Sequence, residues 1–136
     1  RLYQAAFDRA PDAVGLGAAI DYVESIGIER IAQYEHDLLG YATHGLQSVP
    51  GLRLIGTAQH KASVLSFVLP GYRTEEIGAA LNREGIAVRS GHHCAQPILR
   101  RFGLEATVRP SLAFYNTCEE VDALVAVVKR LAHGKR

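Results

Sequence analysis

The sequence predicts an α/β domain of the α+β kind, a small mixed or antiparallel sheet flanked by helices, with elements in the order ααββαββα. Three observations predict it. Apolar residues recur at helical spacing across residues 13–49 and again across 121–131. Between them lie short apolar runs bounded by Pro and Gly, the pattern of strands rather than helices. Thr117-Cys-Glu-Glu120 reads as a capping box, a hydroxyl followed three residues on by a carboxylate, and so marks where the last helix starts.

Taken in order, residues 1–12 form an irregular lead-in, and residues 13–136 form a single domain. Pro11 suits a first helical turn, where its missing N–H costs nothing. The first helix runs from Ala13 to Ile26, with Val14, Leu16, Ile20, Tyr22, Val23 and Ile26 as its apolar positions, and Gly27 ends it. A second helix spans Glu29 to Val49 on a stripe that includes Ile31, Leu38, Ala42 and Leu46, and Pro50-Gly51 stops it. Leu52–Gly56 and Ser63–Leu69 read as strands. Thr74 is expected to cap a helix that runs to Arg83 and buries Ile77 and Leu81. Ile86–Arg89 reads as a short strand, and residues 90–106 as a loop with one helical turn after Pro97. Val108–Tyr115 is the last strand, and Pro110 confines it to an edge or a bulge. The final helix carries Val121, Leu124, Val125, Val128 and Leu131 on its core stripe.

Composition narrows the class of function. The 136 residues are 48% apolar and 21% charged, the balance of an ordinary globular chain. A formal net charge of +1, with basic pairs only at Arg100-Arg101 and in the tail, argues against nucleic acid as a partner. No stretch has the apolar length a membrane span needs. Two cysteines, Cys94 and Cys118, do not make a disulfide framework, so a reducing, cytoplasmic setting is expected. No secretory signal opens the sequence, and a chain that begins at Arg1 is expected to be a fragment or a processed piece.

The densest cluster of reactive side chains is Arg89, His92, His93 and Cys94. A thiolate is the nucleophilic form of cysteine, and nearby cations favour it. Ser90-Gly91 permits a tight turn before the cluster, and Pro97 stiffens the exit. By spacing alone Cys94 reads either as a reactive thiol or as a small buried hydrophobe. Zinc is disfavoured: there is no Cys-x-x-Cys, and adjacent histidines in an extended segment point to opposite sides.

The segment Val88-Arg-Ser-Gly-His-His-Cys-Ala-Gln-Pro97 resembles the active-site cysteine segment of group II, SufS-like cysteine desulfurases and their selenocysteine-lyase relatives. Val108-Arg-Pro-Ser-Leu-Ala-Phe-Tyr-Asn-Thr117, followed by Glu119-Glu-Val-Asp122, resembles the next motif of that family. Gly15-Leu-Gly-Ala-Ala-Ile-Asp-Tyr22 and Tyr34-Glu-His-Asp-Leu38 resemble it further upstream, in register from about Val14 to Leu131. The resemblance implies the small C-terminal domain of a fold-type I, class V aminotransferase-like enzyme that uses pyridoxal 5'-phosphate. Such enzymes take sulfur from L-cysteine, or selenium from selenocysteine, and leave alanine. They are homodimers that deliver sulfur to an acceptor protein for iron–sulfur cluster assembly. By position, Cys94 is the nucleophile that keeps the sulfur as a persulfide. Arg109 matches the arginine that grips the substrate α-carboxylate, and Arg89 matches a second active-site arginine. His92 and His93 match the pair before the nucleophile, where they orient the loop or move protons. Cys118 reads as incidental.

Two departures qualify the match. None of Lys61, Lys129 and Lys135 matches the family's cofactor lysine, so this chain alone is expected neither to bind pyridoxal phosphate well nor to turn over cysteine. Gln4–Ala10 stands where the family has a Gly-Thr-Pro loop that helps bind cofactor phosphate across the dimer. The alternative reading is a persulfide carrier or interaction domain without a cofactor domain.

Overall fold

The computed structural model describes residues 10–56 and 58–134. The irregular lead-in expected for residues 1–12 therefore lies mostly outside the described residues. The chain divides into two compact units, Arg1–Tyr34 and Glu35–Arg136.

In the first unit a helix, α1, spans Ala10–Ile26 and carries Pro11 in its first turn, as the sequence suggests. Gly27 follows with φ of 99°, a left-handed conformation that closes the helix and that a side chain would disfavour. The apolar positions of α1 form no buried stripe in this unit: Val14 is 73% and Leu16 62% exposed. The reason is that apolar and small residues run around α1 instead of collecting on one face. Helix α2, Ile28–Gln47, begins directly after Gly27 and continues into the second unit.

The second unit is built on a four-stranded antiparallel sheet. Its strands are β1 (Arg53–Ile55), β2 (Ser66–Val68), β3 (Arg89–Gly91) and β4 (Thr107–Arg109), in the spatial order β1-β2-β4-β3. Helix α3 (Thr74–Arg83) lies between β2 and β3 in sequence, α4 (Gln96–Arg101) between β3 and β4, and α5 (Cys118–His133) ends the chain. The order is thus ααββαβαβα: the single turn expected after Pro97 is a six-residue helix, with Leu99 buried. The sheet is antiparallel throughout its pairs.

One face of the sheet meets the helices. Phe67 of β2 sits opposite Val108 of β4, and both are fully buried. Leu38, Ala42 and Leu46 of α2, Ile77 and Leu81 of α3, and Val121 and Val128 of α5 complete this core. A continuous apolar stripe on each helix is what allows the burial, because the rest of each helix stays polar. The helices approach closely at Gly45 of α2, where an added Cβ would lie 2.9 Å from Val125 Cγ2 of α5.

Several boundaries differ from expectation. The strand expected at Ile86–Arg89 begins at Arg89, and the one expected to reach Tyr115 stops at Arg109. Pro110 is the cause. The register that pairs Arg89 with Arg109 would next pair residue 88 with Pro110, which has no N–H for the ladder. On the other side of β4 the Pro110 carbonyl still accepts from Leu65 N–H at 3.1 Å, and Ser111 forms one bridge with Val64. Thr74 does not cap α3. Arg73 is the capping position, its N–H donates to Glu76 Oε2 at 2.7 Å, and Thr74 is buried in the first turn.

The last helix opens as the sequence predicts. Glu120 N–H donates to Thr117 Oγ1 at 3.3 Å, and Thr117 N–H donates back to Glu120 Oε2 at 3.1 Å. Asn116 Nδ2 donates to the same carboxylate, and these bonds hold the Glu120 carboxyl below its ordinary range.

Two outcomes follow for stability. Gly45→Ala forces Val125 to shift and is expected to cost about 1–3 kcal/mol, read as a lowered denaturant midpoint at unchanged slope. Thr117→Ala removes the cap and is expected to cost about 1 kcal/mol by the same measurement, whereas Thr117→Ser retains most of the cap.

Candidate functional site

The site is built on the pairing of β3 with β4. In that register Arg89 faces Arg109, Ser90 faces Val108 and Gly91 faces Thr107. Since side chains alternate across a strand, Val108 and Ser90 point to the helical core, and Thr107, Arg109 and Arg89 belong to the opposite face. The core side is crowded there: an added Cβ on Gly78 of α3 would lie 2.5 Å from Ser90 Oγ. Gly78 therefore lets β3 lie close against α3.

Residues directly opposite in an antiparallel pair have Cβ atoms about 5 Å apart, and like charges there repel. Arg89 and Arg109 nonetheless occupy such a pair, Arg89 exposed and Arg109 half-buried. Neither takes part in the ion pairs seen among the described residues. Arg109 Nε is buried and has no hydrogen-bond partner. Two facing guanidinium groups, one with an unmet buried donor, form a place suited to a carboxylate or another small anion.

Gly91, with φ of 130°, turns the chain out of β3 and into the His92-His93-Cys94 segment. The two histidines then do different things. His92 is exposed; its Nδ1 accepts from Cys94 N–H at 3.0 Å and its carbonyl accepts from Ala95 N–H at 2.8 Å. His93 folds back over the sheet, with Nε2 3.0 Å from the carbonyl oxygen of Thr107 and 3.0 Å from Thr107 Oγ1. A carbonyl can only accept, so Nε2 carries the proton. That leaves Nδ1 as the bare nitrogen, and it is buried without a partner. Burial chiefly lowers the His93 pKa, and the nearby charges of Arg109, Arg89 and His92 lower it further against the pull of the Thr107 carbonyl. His93 is therefore a neutral ring committed to Thr107.

Cys94 is exposed and unpaired, at the turn that leads through Ala95 into α4. His93 and Cys94 have φ of 55° and 56°, both left-handed. Cys118 is also free, but it opens α5 beside Tyr41, whose hydroxyl donates to Asp122 at 2.7 Å. The structure thus carries Arg89, Arg109, His92, His93 and Cys94 on the β3–β4 pair and the turn that leaves it, with the two arginines at one end of the ladder and the turn after Gly91 at the other, and leaves Cys118 on another element. Among the described residues, no group of three His, Cys, Asp or Glu side chains is placed to hold a metal ion.

Three residues of the site escape a reading of the sequence. Thr107 and Gly78 are found only through their contacts. Glu35 is the third: its carboxylate accepts from Ser63 Oγ at 2.7 Å and from Phe114 N–H at 3.1 Å, tying down the segments that lead into β2 and out of β4. Its place in the Tyr34–Leu38 motif was the available signal.

The chain is similar to known proteins along nearly its whole length. It is 66% identical over 132 residues to a cysteine desulfurase of Synechococcus elongatus, covering 97% of this chain and 21% of that one. It is 62% identical to a probable cysteine desulfurase of Mycobacterium leprae, covering 97% of this chain and 22% of that one. The chain therefore spans about a fifth of the length of these curated relatives. Its fold is similar to that of the apo cysteine desulfurase from Thermococcus onnurineus. The TM-score there is 0.86 at 40% identity, over 90% of this chain and 31% of that one. The cysteine desulfurase CsdA of Escherichia coli gives 0.81 at 36% identity, over 89% and 30% of the two chains. The aminotransferase class-V pattern runs from residue 4 to residue 124, through both motifs that supply the facing arginines and the cysteine, and the chain belongs to that family.

Proposed function

We propose that the chain is the C-terminal portion of a cysteine desulfurase, with residues 13–136 as its small domain and Cys94 as the residue that receives sulfur from L-cysteine. The observation that carries this reading is the exposed Cys94 thiol on a left-handed turn that leaves β3, the same strand that sets Arg89 opposite Arg109. The relatives named cysteine desulfurase support it, since they match 97% of this chain at 62–66% identity.

The chain's own residues divide the work. Arg109 offers its guanidinium, including the unmet Nε–H, to the substrate carboxylate, and Arg89 stands opposite as a second cation for the substrate or for the persulfide anion. Cys94, as thiolate, attacks the sulfur of the bound cysteine. A bond forms between the two sulfurs and the substrate C–S bond breaks. Its electron pair leaves with the carbon fragment, which gains a proton and becomes alanine. Cys94 keeps the sulfur as a persulfide anion until an acceptor thiol takes it. His92 holds the Cys94 N–H, and His93 stays neutral against Thr107.

Pyridoxal phosphate supplies the electron sink in this chemistry. The described residues do not fit it by themselves. Lys61 lines a shallow hollow with His36, Thr43 and His44 beside α2, and Lys129 lies on α5 with its carbonyl bonded to His133 Nδ1. Neither lysine stands in the 89–94 segment or on β4, so the cofactor's covalent anchor is assigned to a part of the enzyme beyond this chain. The homodimer, the acceptor protein in iron–sulfur cluster assembly and a cytoplasmic setting belong to the same proposal. Use of selenocysteine does too. No helix among the described residues is long and apolar enough to cross a membrane. The lack of a fitting lysine also favours a second reading, a persulfide-carrier domain that acts without the cofactor.

Two measurements test these readings. Incubated with a low-molecular-weight persulfide donor, the chain is expected to gain sulfur by mass spectrometry. Cys94→Ser should abolish the gain and Cys118→Ser should leave it intact; sulfur on Cys118 instead would sink the assignment. In an enzyme that includes the cofactor-binding part, Arg109→Ala is expected to lower kcat/KM for L-cysteine about 10- to 100-fold, mostly through KM. Full turnover by the chain without that part would overturn the division of the site.

A further inference from the structure

Thr107 is fully buried although it lies on the sheet face turned away from the helical core. His93 folds over it, and through His93 it reaches the segment that carries Cys94. That segment holds two consecutive side-chain-bearing residues in the left-handed region, His93 at φ 55° and Cys94 at φ 56°. Histidine tolerates this region better than most residues, and cysteine does not share that tolerance. Such a pair persists only where its surroundings determine it. The bonds from Cys94 N–H and Ala95 N–H to His92 are internal to the turn and would travel with it. The contacts of His93 Nε2 with the Thr107 carbonyl and hydroxyl are the ones that fasten the turn to β4.

We propose that Thr107 is a positioning residue for Cys94: its carbonyl and hydroxyl seat the His93 ring, and the seated ring holds the left-handed turn that presents the thiol. The significance for sulfur transfer rests on the reading of Cys94 as the sulfur carrier. The geometry assigns His93 a role as a peg. Its protonated nitrogen is occupied by Thr107, and its bare nitrogen is buried, so neither is offered to a substrate. It also ties the thiol to Arg109. Thr107 and Arg109 are two residues apart on one strand and share a face, so one strand sets both the turn that presents the nucleophile and the guanidinium that would hold the substrate.

The test uses Thr107→Val and Thr107→Ser in the Cys118→Ser chain, where Cys94 is the only thiol. Valine places a methyl group where Oγ1 now stands, 3.0 Å from a ring nitrogen, which is inside van der Waals contact, so the ring must move. The alkylation rate of Cys94 by iodoacetamide is followed across pH, and nitrogen NMR reports the His93 tautomer. Thr107→Val is expected to change the alkylation rate about tenfold and to alter its pH profile, as when a constrained turn relaxes; Thr107→Ser should stay near the parent. In the parent, His93 should carry its proton on Nε2. Should Thr107→Val fail to fold, His93→Asn provides the same comparison, because Asn accepts the left-handed conformation but not the imidazole's reach. An alkylation profile unchanged in Thr107→Val, or in His93→Asn where that variant replaces it, overturns the inference, as does a proton on His93 Nδ1. Neither readout depends on desulfurase chemistry. Failure of the parent to take up persulfide sulfur would instead remove the functional reading.

Discussion

Three residue pairs, Arg89 with Arg109, Ser90 with Val108 and Gly91 with Thr107, join the edge strand β3 to β4, and the candidate site depends on that register. A slip of one residue would exchange the two faces of β3. Arg89 would turn toward the helical core, and Ser90 would leave the notch that Gly78 opens for it. The burial of Phe67 and Val108 on the core side fixes which face β4 presents. The positions of the arginines are therefore set by hydrophobic packing on the far side of the sheet. Chemistry on one face is held in place by apolar contacts on the other.

The same register explains an electrostatic arrangement that is unfavourable by itself. Two arginines face one another, a neutral histidine is held nearby by burial, and no carboxylate among the described residues pairs with either guanidinium. A chain selected only for stability would be expected to place an acid in such a position. An open cationic pair of this kind is suited to a small anion that completes it. The left-handed turn at His93 and Cys94 belongs to the same economy of design: strain at the site is held by bonds to a strand whose own place is secured by the core.

Pro110 has a structural consequence beyond ending a strand. Without an N–H it halts the β3–β4 ladder at Arg109, and its carbonyl still binds Leu65 on the β2 side. The chain can then leave the sheet through Ala113 and Phe114, where Glu35 and Asn116 catch it, and enter α5 through the Thr117 cap. Proline thus separates the site-bearing part of the strand from the connection to the last helix.

Much of this was legible in the residues. The spacing of apolar side chains located α2, α3 and α5, and the Thr117–Glu120 pattern located the start of α5, because these signals are local and periodic. The string from Val88 to Pro97 marked Cys94, Arg89 and both histidines, and Arg109 followed from the second motif. Local pattern could not decide the rest. It missed α4 as a full helix and shifted β3, since strand limits depend on which partner offers an N–H, and only the folded register sets Val88 opposite Pro110, which has none. It also treated His92 and His93 as a pair. By itself the sequence determined which reactive groups the chain carries and which helices it forms. Only the tertiary structure decided that His93 folds onto Thr107 and that Arg89 faces Arg109, because each depends on contacts that sequence spacing does not encode.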